Sequence, residues 1–261
     1  MPVSKPLRRL IEASVPYWGG EAEVCRAYWD WTGRNAETDR TWLLRQMYKE
    51  YWEGFHRPLT RLVAGGIDRH EALALSRLAY EELSHYCSFA DVYAALDDAA
   101  AARVPDPHEI AQRGPWPEND ELMRLRAEHA RESPILGTRA VSFTEGGYCA
   151  LFSEGMKLAG RGGVDDRIAS ACARVFDDEF DHMLAGIVDI DDASLSASDW
   201  VAITDMTVAQ LRARIRMRNA QFGRPLPENR LARLLAGAGE PVKFDYRRAQ
   251  RSARGSVARR R

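Results

Sequence analysis

Alternating runs of β-branched residues are scarce in this chain, which argues against a sheet. Long apolar runs are missing too. No stretch reaches the roughly 18 residues a membrane-spanning helix needs. Cysteine is sparse: Cys25, Cys87, Cys149 and Cys172 are the only four, and no two form a Cys-x-x-Cys pair. That spacing excludes a zinc ribbon or a disulfide scaffold and reads as reduced core thiols. An excess of one charge is also lacking. The 37 Lys and Arg against 38 Asp and Glu leave a net charge of −1, so bulk electrostatics select neither nucleic acid nor a membrane surface. The opening "MPVSKPLRRLIEASVPYW" has neither the uninterrupted apolar core nor the small-residue cleavage site of a signal peptide. A cytoplasmic protein is expected.

What is present is helix-forming sequence. Ala, Leu, Arg and Glu dominate a chain of 261 residues, long enough for one sizeable core. After an irregular N-terminal region with a short helix near 21–31, a first long helix is expected from Glu37 to Val63, capped by Thr38 or Asp39. Pro58 should kink it, because its ring opposes the carbonyl of Gly54. "AGGID" turns the chain into a second helix over 69–98, capped by Asp68, with Leu75, Leu78, Phe89, Val92 and Leu96 on one stripe. Residues 99–117 read as a long crossover with little helical pattern, followed by a helix near 118–131. A third core helix over 134–159, a "GRGG" turn and a fourth helix over 165–187 follow. Helices near 198–220 and 228–236 complete the chain. The expectation is an all-α protein: a four-helix bundle with one long crossover and additional N- and C-terminal helices. It forms one domain over 1–245, with a core at about 37–190 and an extension over 191–245. The segment 246–261 has seven arginines and no acid, and reads as a disordered tail.

Two five-residue stretches match. Residues 81–85 are "EELSH" and residues 178–182 are "DEFDH", each on the second helix of a long hairpin. Glu82 and His85 continue the apolar stripe of their helix, and Glu179 and His182 continue Ile168, Cys172 and Val175. An i, i+3 spacing puts carboxylate and imidazole on one face. Polar groups aimed into a core are costly unless paired or bound to metal. The first helix of each hairpin should add a carboxylate at the same height. In the second hairpin this is Glu145, and in the first it is Glu50, favoured over Glu53, whose face is polar. The expected metal ligands are therefore Glu50, Glu82, His85, Glu145, Glu179 and His182, a set able to hold two ions. Glu81 and Asp178 are placed to orient ligand histidines, and Glu53, off the core face, is expected to be a surface residue or a further support of this kind. Gly54, Gly146 and Gly147 flank ligands and would leave a cavity at the metals.

In Glu50, "EELSH", Glu145 and "DEFDH" the sequence resembles the ferritin-like di-iron carboxylate superfamily over about residues 40–190. Haem-oxygenase-like di-iron oxidases share a related pattern. They usually carry a further histidine seven residues before the last, where this chain has Val175. The resemblance implies two iron ions, with manganese possible, and an O₂-dependent oxidase or oxygenase acting on a small organic molecule. Electrons would come from a reductase or from the substrate itself. A monomer or homodimer with no membrane partner is expected. Two alternatives stay open. One is iron storage or a non-enzymatic metal protein. The other is hydroxylation of a tRNA base, for which "RARIRMR" at 212–218 and the arginine tail could hold phosphates.

Overall fold

Side-chain caps set several of the helix starts. Asn35 accepts from the backbone N–H groups of Glu37 and Thr38, while Thr38 reaches back to the Asn35 N–H, a capping box. Asp68 accepts from His70 and Glu71, and Ser196 pairs reciprocally with Asp199. Asp39, expected as a cap, is instead buried and accepts from the Tyr28 hydroxyl and the Trp42 indole.

The computed structural model describes residues 3–96, 103–190, 195–223, 226–249 and 251. The all-α expectation holds, with no strand among the described residues. The order is α1 (Lys5–Trp29), α2 (Ala36–Tyr48), a π-helical stretch (Lys49–Phe55), α3 (His56–Ala64), α4 (Arg69–Ala94), α5 (Pro107–Arg113), α6 (Pro117–Glu132), α7 (Pro134–Thr144), α8 (Ala150–Gly155), α9 (Gly163–Asp189), α10 (Ala197–Gln221) and α11 (Glu228–Leu235). Among these described elements no helix is long and apolar enough to cross a membrane.

One helical hairpin is formed by α2, the π stretch and α3 against α4; the other by α7 and α8 against α9. The hairpins meet where α4 packs on α9, and α10 lies on α6, α7 and α1. Trp18, Trp42, Phe89, Phe143 and Phe222 are fully buried between these layers. Each such side chain contributes about 1.5–3 kcal/mol.

Several expectations are corrected. The N-terminal region is not irregular: α1 has 25 residues and runs through Pro16, Gly19 and Gly20. A Cβ on Gly19 would lie 1.7 Å from the Glu240 carbonyl oxygen, so these glycines permit close approach of the C-terminal segment rather than a turn. The crossover contains α5. The first long helix is interrupted at the π stretch, a turn before Pro58. The third is broken outright. Cys87 is exposed, unlike the other three cysteines. Of the arginine-rich segment, 246–249 forms a helical turn. Its Arg248 pairs with Asp177 and Asp181 and lies 4.5 Å over the Phe180 ring. Residues 250 and 252–261 lie outside the described residues.

Candidate metal centre

Where α4 meets α9, four of the six expected ligands converge. Glu50, Glu82, His85 and Glu179 each offer a donor atom within 4.8 Å of all the others. Glu50 comes from the π stretch, Glu82 and His85 from α4, and Glu179 from α9. Glu50 is held by the Gln46 amide one turn earlier, whose Nε2 donates to its Oε1. Glu53 lies outside the cluster, accepting from Lys49 and Asn119.

The His85 ring shows what the cluster fits. Its Nδ1 is buried and has no hydrogen-bond partner among the described residues. Three carboxylate oxygens surround it, Glu179 Oε1 at 3.5 Å, Glu50 Oε2 at 3.8 Å and Glu82 Oε2 at 3.9 Å. These distances are too long for hydrogen bonds. They suit atoms that share an ion, since metal–ligand bonds of about 2.0–2.2 Å set neighbouring ligands roughly 3–3.5 Å apart. Nitrogen and carboxylate donors together suit iron, manganese or zinc.

The charges agree. Burial, then the Glu50 and Glu179 charges, push the Glu82 carboxyl up to about 10. Burial alone would lower the His85 imidazole, but the adjoining Glu179 and Glu50 carboxylates raise it to about 11. Burial also works against the Glu50 carboxylate, yet His85 and Gln46 hold it below its ordinary value. Glu82 and His85 therefore retain protons that a divalent cation would displace.

Glu145 and His182 are outside this cluster. α7 ends at Thr144, and Glu145 has extended backbone, φ −60° and ψ 140°. The next four residues, Gly146, Gly147, Tyr148 and Cys149, all have positive φ. Left-handed backbone costs about 1–2 kcal/mol at each non-glycine position. Anchoring of Tyr148 opposes that cost. Its hydroxyl donates to the Lys243 carbonyl and accepts from the Asp245 N–H, and its ring stacks 5.1 Å from Trp18. Glu145 is thus exposed at a helix break, although it lines the same cavity as Glu50, Glu82 and Glu179. His182 Nε2 lies 3.1 Å from Glu81 Oε2. Likewise His85 Nε2 lies 3.3 Å from Asp178 Oδ2. The acid of each motif thus meets the histidine of the other, across the α4–α9 seam.

The three carboxylates of the cluster form one wall of a cavity of about 400 Å³, which Met123 and Arg126 of α6 and Val141 of α7 also line. Of the three glycines expected to shape it, Gly54 and Gly146 line it and Gly147 does not. A Cβ on Gly147 would meet Glu21 Oε2 at 2.1 Å and Arg214 Nε at 2.5 Å. At Gly54 the space is filled by a ligand, because a Cβ there would lie 2.2 Å from Glu82 Oε2. Gly54→Ala should therefore displace the Glu82 carboxylate. We expect metal affinity to fall about 10-fold or more, while the helix gains up to about 1 kcal/mol of intrinsic propensity. Titration with zinc beside a thermal melt checks this, and unchanged affinity would remove Glu82 from the site.

Sequence reasoning missed the support behind the cluster. Glu21 of α1 is buried and takes a two-bond fork from Arg214 and a third bond from Arg218. Burial opposes its charge, but the two guanidinium groups hold its pKa below the ordinary value. Arg218 also donates to Gln221 and Gln46, and Gln46 leads to Glu50. The i, i+4 spacing of Arg214 and Arg218 was the available signal. Both face inward, which leaves Arg212 and Arg216 as the exposed arginines of "RARIRMR". No known protein-family model, curated protein or solved structure matches the chain.

Proposed function

We propose that the protein is a ferritin-like di-iron oxidase or oxygenase that uses O₂ to oxidise a small organic molecule. The observation that carries this reading is that the three carboxylates of the carboxylate–histidine cluster line an organic-sized cavity. Two ferrous ions bound there would supply the electrons that reduce O₂, replenished by a reductase or by the substrate. Glu50, Glu82, His85 and Glu179 would hold the first ion. Glu145 and His182 are the remaining donors for a second, and Glu145 already faces the shared cavity. Gln46 fixes Glu50, and Asp178 accepts at His85 Nε2, so that Nδ1 is presented to the metal. Phe152 and Val141 line the cavity and would limit water on their side of it.

Anaerobic loading tests the reading. Two Fe(II) per chain are expected by elemental analysis, followed by a transient visible absorption on mixing with O₂. A chain that binds no iron, or whose bound iron is inert to O₂, would overturn it.

A further inference from the structure

The cavity opposite the cluster holds a cation, Arg126, that makes no ion pair among the described residues. Arg126 projects from α6, and its Nη2 donates to the Thr144 carbonyl at 3.3 Å and to Thr144 Oγ1 at 3.2 Å. Thr144 is itself fixed, since its hydroxyl donates to Gln210 Oε1 at 2.7 Å. Arg126 Nε is shielded with no acceptor, and Nη1 makes no hydrogen bond among the described residues. No described carboxylate forms an ion pair with this side chain, whereas Lys49 is taken by Glu53 and Arg214 and Arg218 by Glu21. Burial and the nearby Arg214 lower the Arg126 pKa to about 10 against the smaller opposing pull of Glu145, Glu53 and Glu21, so it remains charged at neutral pH.

The surroundings define what would pair with it. Met123, Ala127 and Ala130 of α6 and Val141 of α7 form an apolar wall beside the guanidinium. The lining carries five cationic and five carboxylate side chains, with Glu21 behind it, and one divalent ion at the cluster makes that balance positive. A guanidinium without a contact ion pair in a partly dry site is worth most to a planar anion it can grip with parallel N–H bonds.

We propose that Arg126 is the anchor for an organic carboxylate, so that the substrate is an amphipathic carboxylic acid. Its charged end rests on Arg126 and its apolar body lies along α6 and α7. The assignment rests on the cavity being the substrate site. It adds the chemical class of the molecule that fills it.

Calorimetry on the metal-free full chain tests this, so that no ion can take the carboxylate directly. The probes are benzoate and hexanoate, each beside its amide. At least one acid should bind about 10-fold tighter than its amide. Arg126→Gln should abolish that preference and leave amide binding unchanged. Arg126→Lys, which keeps the charge, should retain part of the preference and serves if the glutamine variant melts early. Absence of any acid preference in the wild type, or its survival in Arg126→Gln, would overturn the assignment. Zinc stoichiometry measured on the same samples separates the two readings. Acid preference without metal binding would leave the carboxylate site standing and remove the oxidase. Metal binding without acid preference would do the reverse.

Discussion

His85→Ala should abolish stoichiometric metal binding, lowering affinity at the cluster by more than about 100-fold. Loss of a group that only orients a ligand already costs about 10–100-fold, and His85 is the one nitrogen among four donors. Glu179→Ala should behave alike. Glu145→Ala and His182→Ala should instead lose only a second ion, taking the stoichiometry from two to one. Elemental analysis and calorimetry on anaerobic samples distinguish these outcomes, and wild-type loading of His85→Ala would sink the assignment. The pH dependence has a definite sign. Glu82, raised to about 10, and His85, raised to about 11, both hold protons at neutral pH in the metal-free chain. The first ion must displace about two of them, so apparent affinity rises as pH rises, by up to about 100-fold per unit. Indicator dye in weak buffer should register that release. Binding without proton release would contradict the arrangement.

Glu21→Ala should be the most destabilising single change away from the cluster. It would strand two buried guanidinium charges, which typically costs about 3–5 kcal/mol. For a chain of this size that is a fall of roughly 10 °C or more in melting temperature. Glu21→Gln, which preserves shape but not charge, should lose a large part of the same amount. Replacing the triad together by apolar residues, Glu21→Leu with Arg214→Met and Arg218→Met, should recover much of the stability. A wild-type melting point for Glu21→Ala would mean that water reaches these arginines. Because Arg218 leads through Gln46 to Glu50, Glu21→Ala should also weaken metal binding in the fraction that folds.

The parts of this structure that could be read from sequence are those set by local periodicity. Helix α4 carries Glu82, His85, Phe89 and Val92 on one buried stripe, as three-and-four spacing requires. The level pairing across the "AGGID" turn pointed to Glu50 rather than Glu53, and Glu50 is the one that reaches the cluster. What could not be read depends on distant partners. The turn at 145–149 stays left-handed at Tyr148 because that hydroxyl is anchored to Lys243 and Asp245, nearly a hundred residues away. Glu145 was placed by assuming an unbroken helix, and that break carries it out of the cluster. Pro16, Gly19 and Gly20 resemble helix breakers, yet Gly19 serves contact with Glu240. The pairing of Glu21 with Arg214 and Arg218 spans 193 and 197 residues, beyond any local pattern.

The crossed contacts of Glu81 with His182 and of Asp178 with His85 act as a lock on assembly. Neither hairpin contains both members of either pair, and neither alone contains the four-donor cluster. Sliding α4 along α9 by one helical turn, about 5.4 Å, would separate both pairs at once. The binding site therefore exists only after the two halves of the chain have docked in a single alignment. A metal titration during refolding would consequently time that docking, and a bound ion would hold the halves together at the cost of its own dissociation.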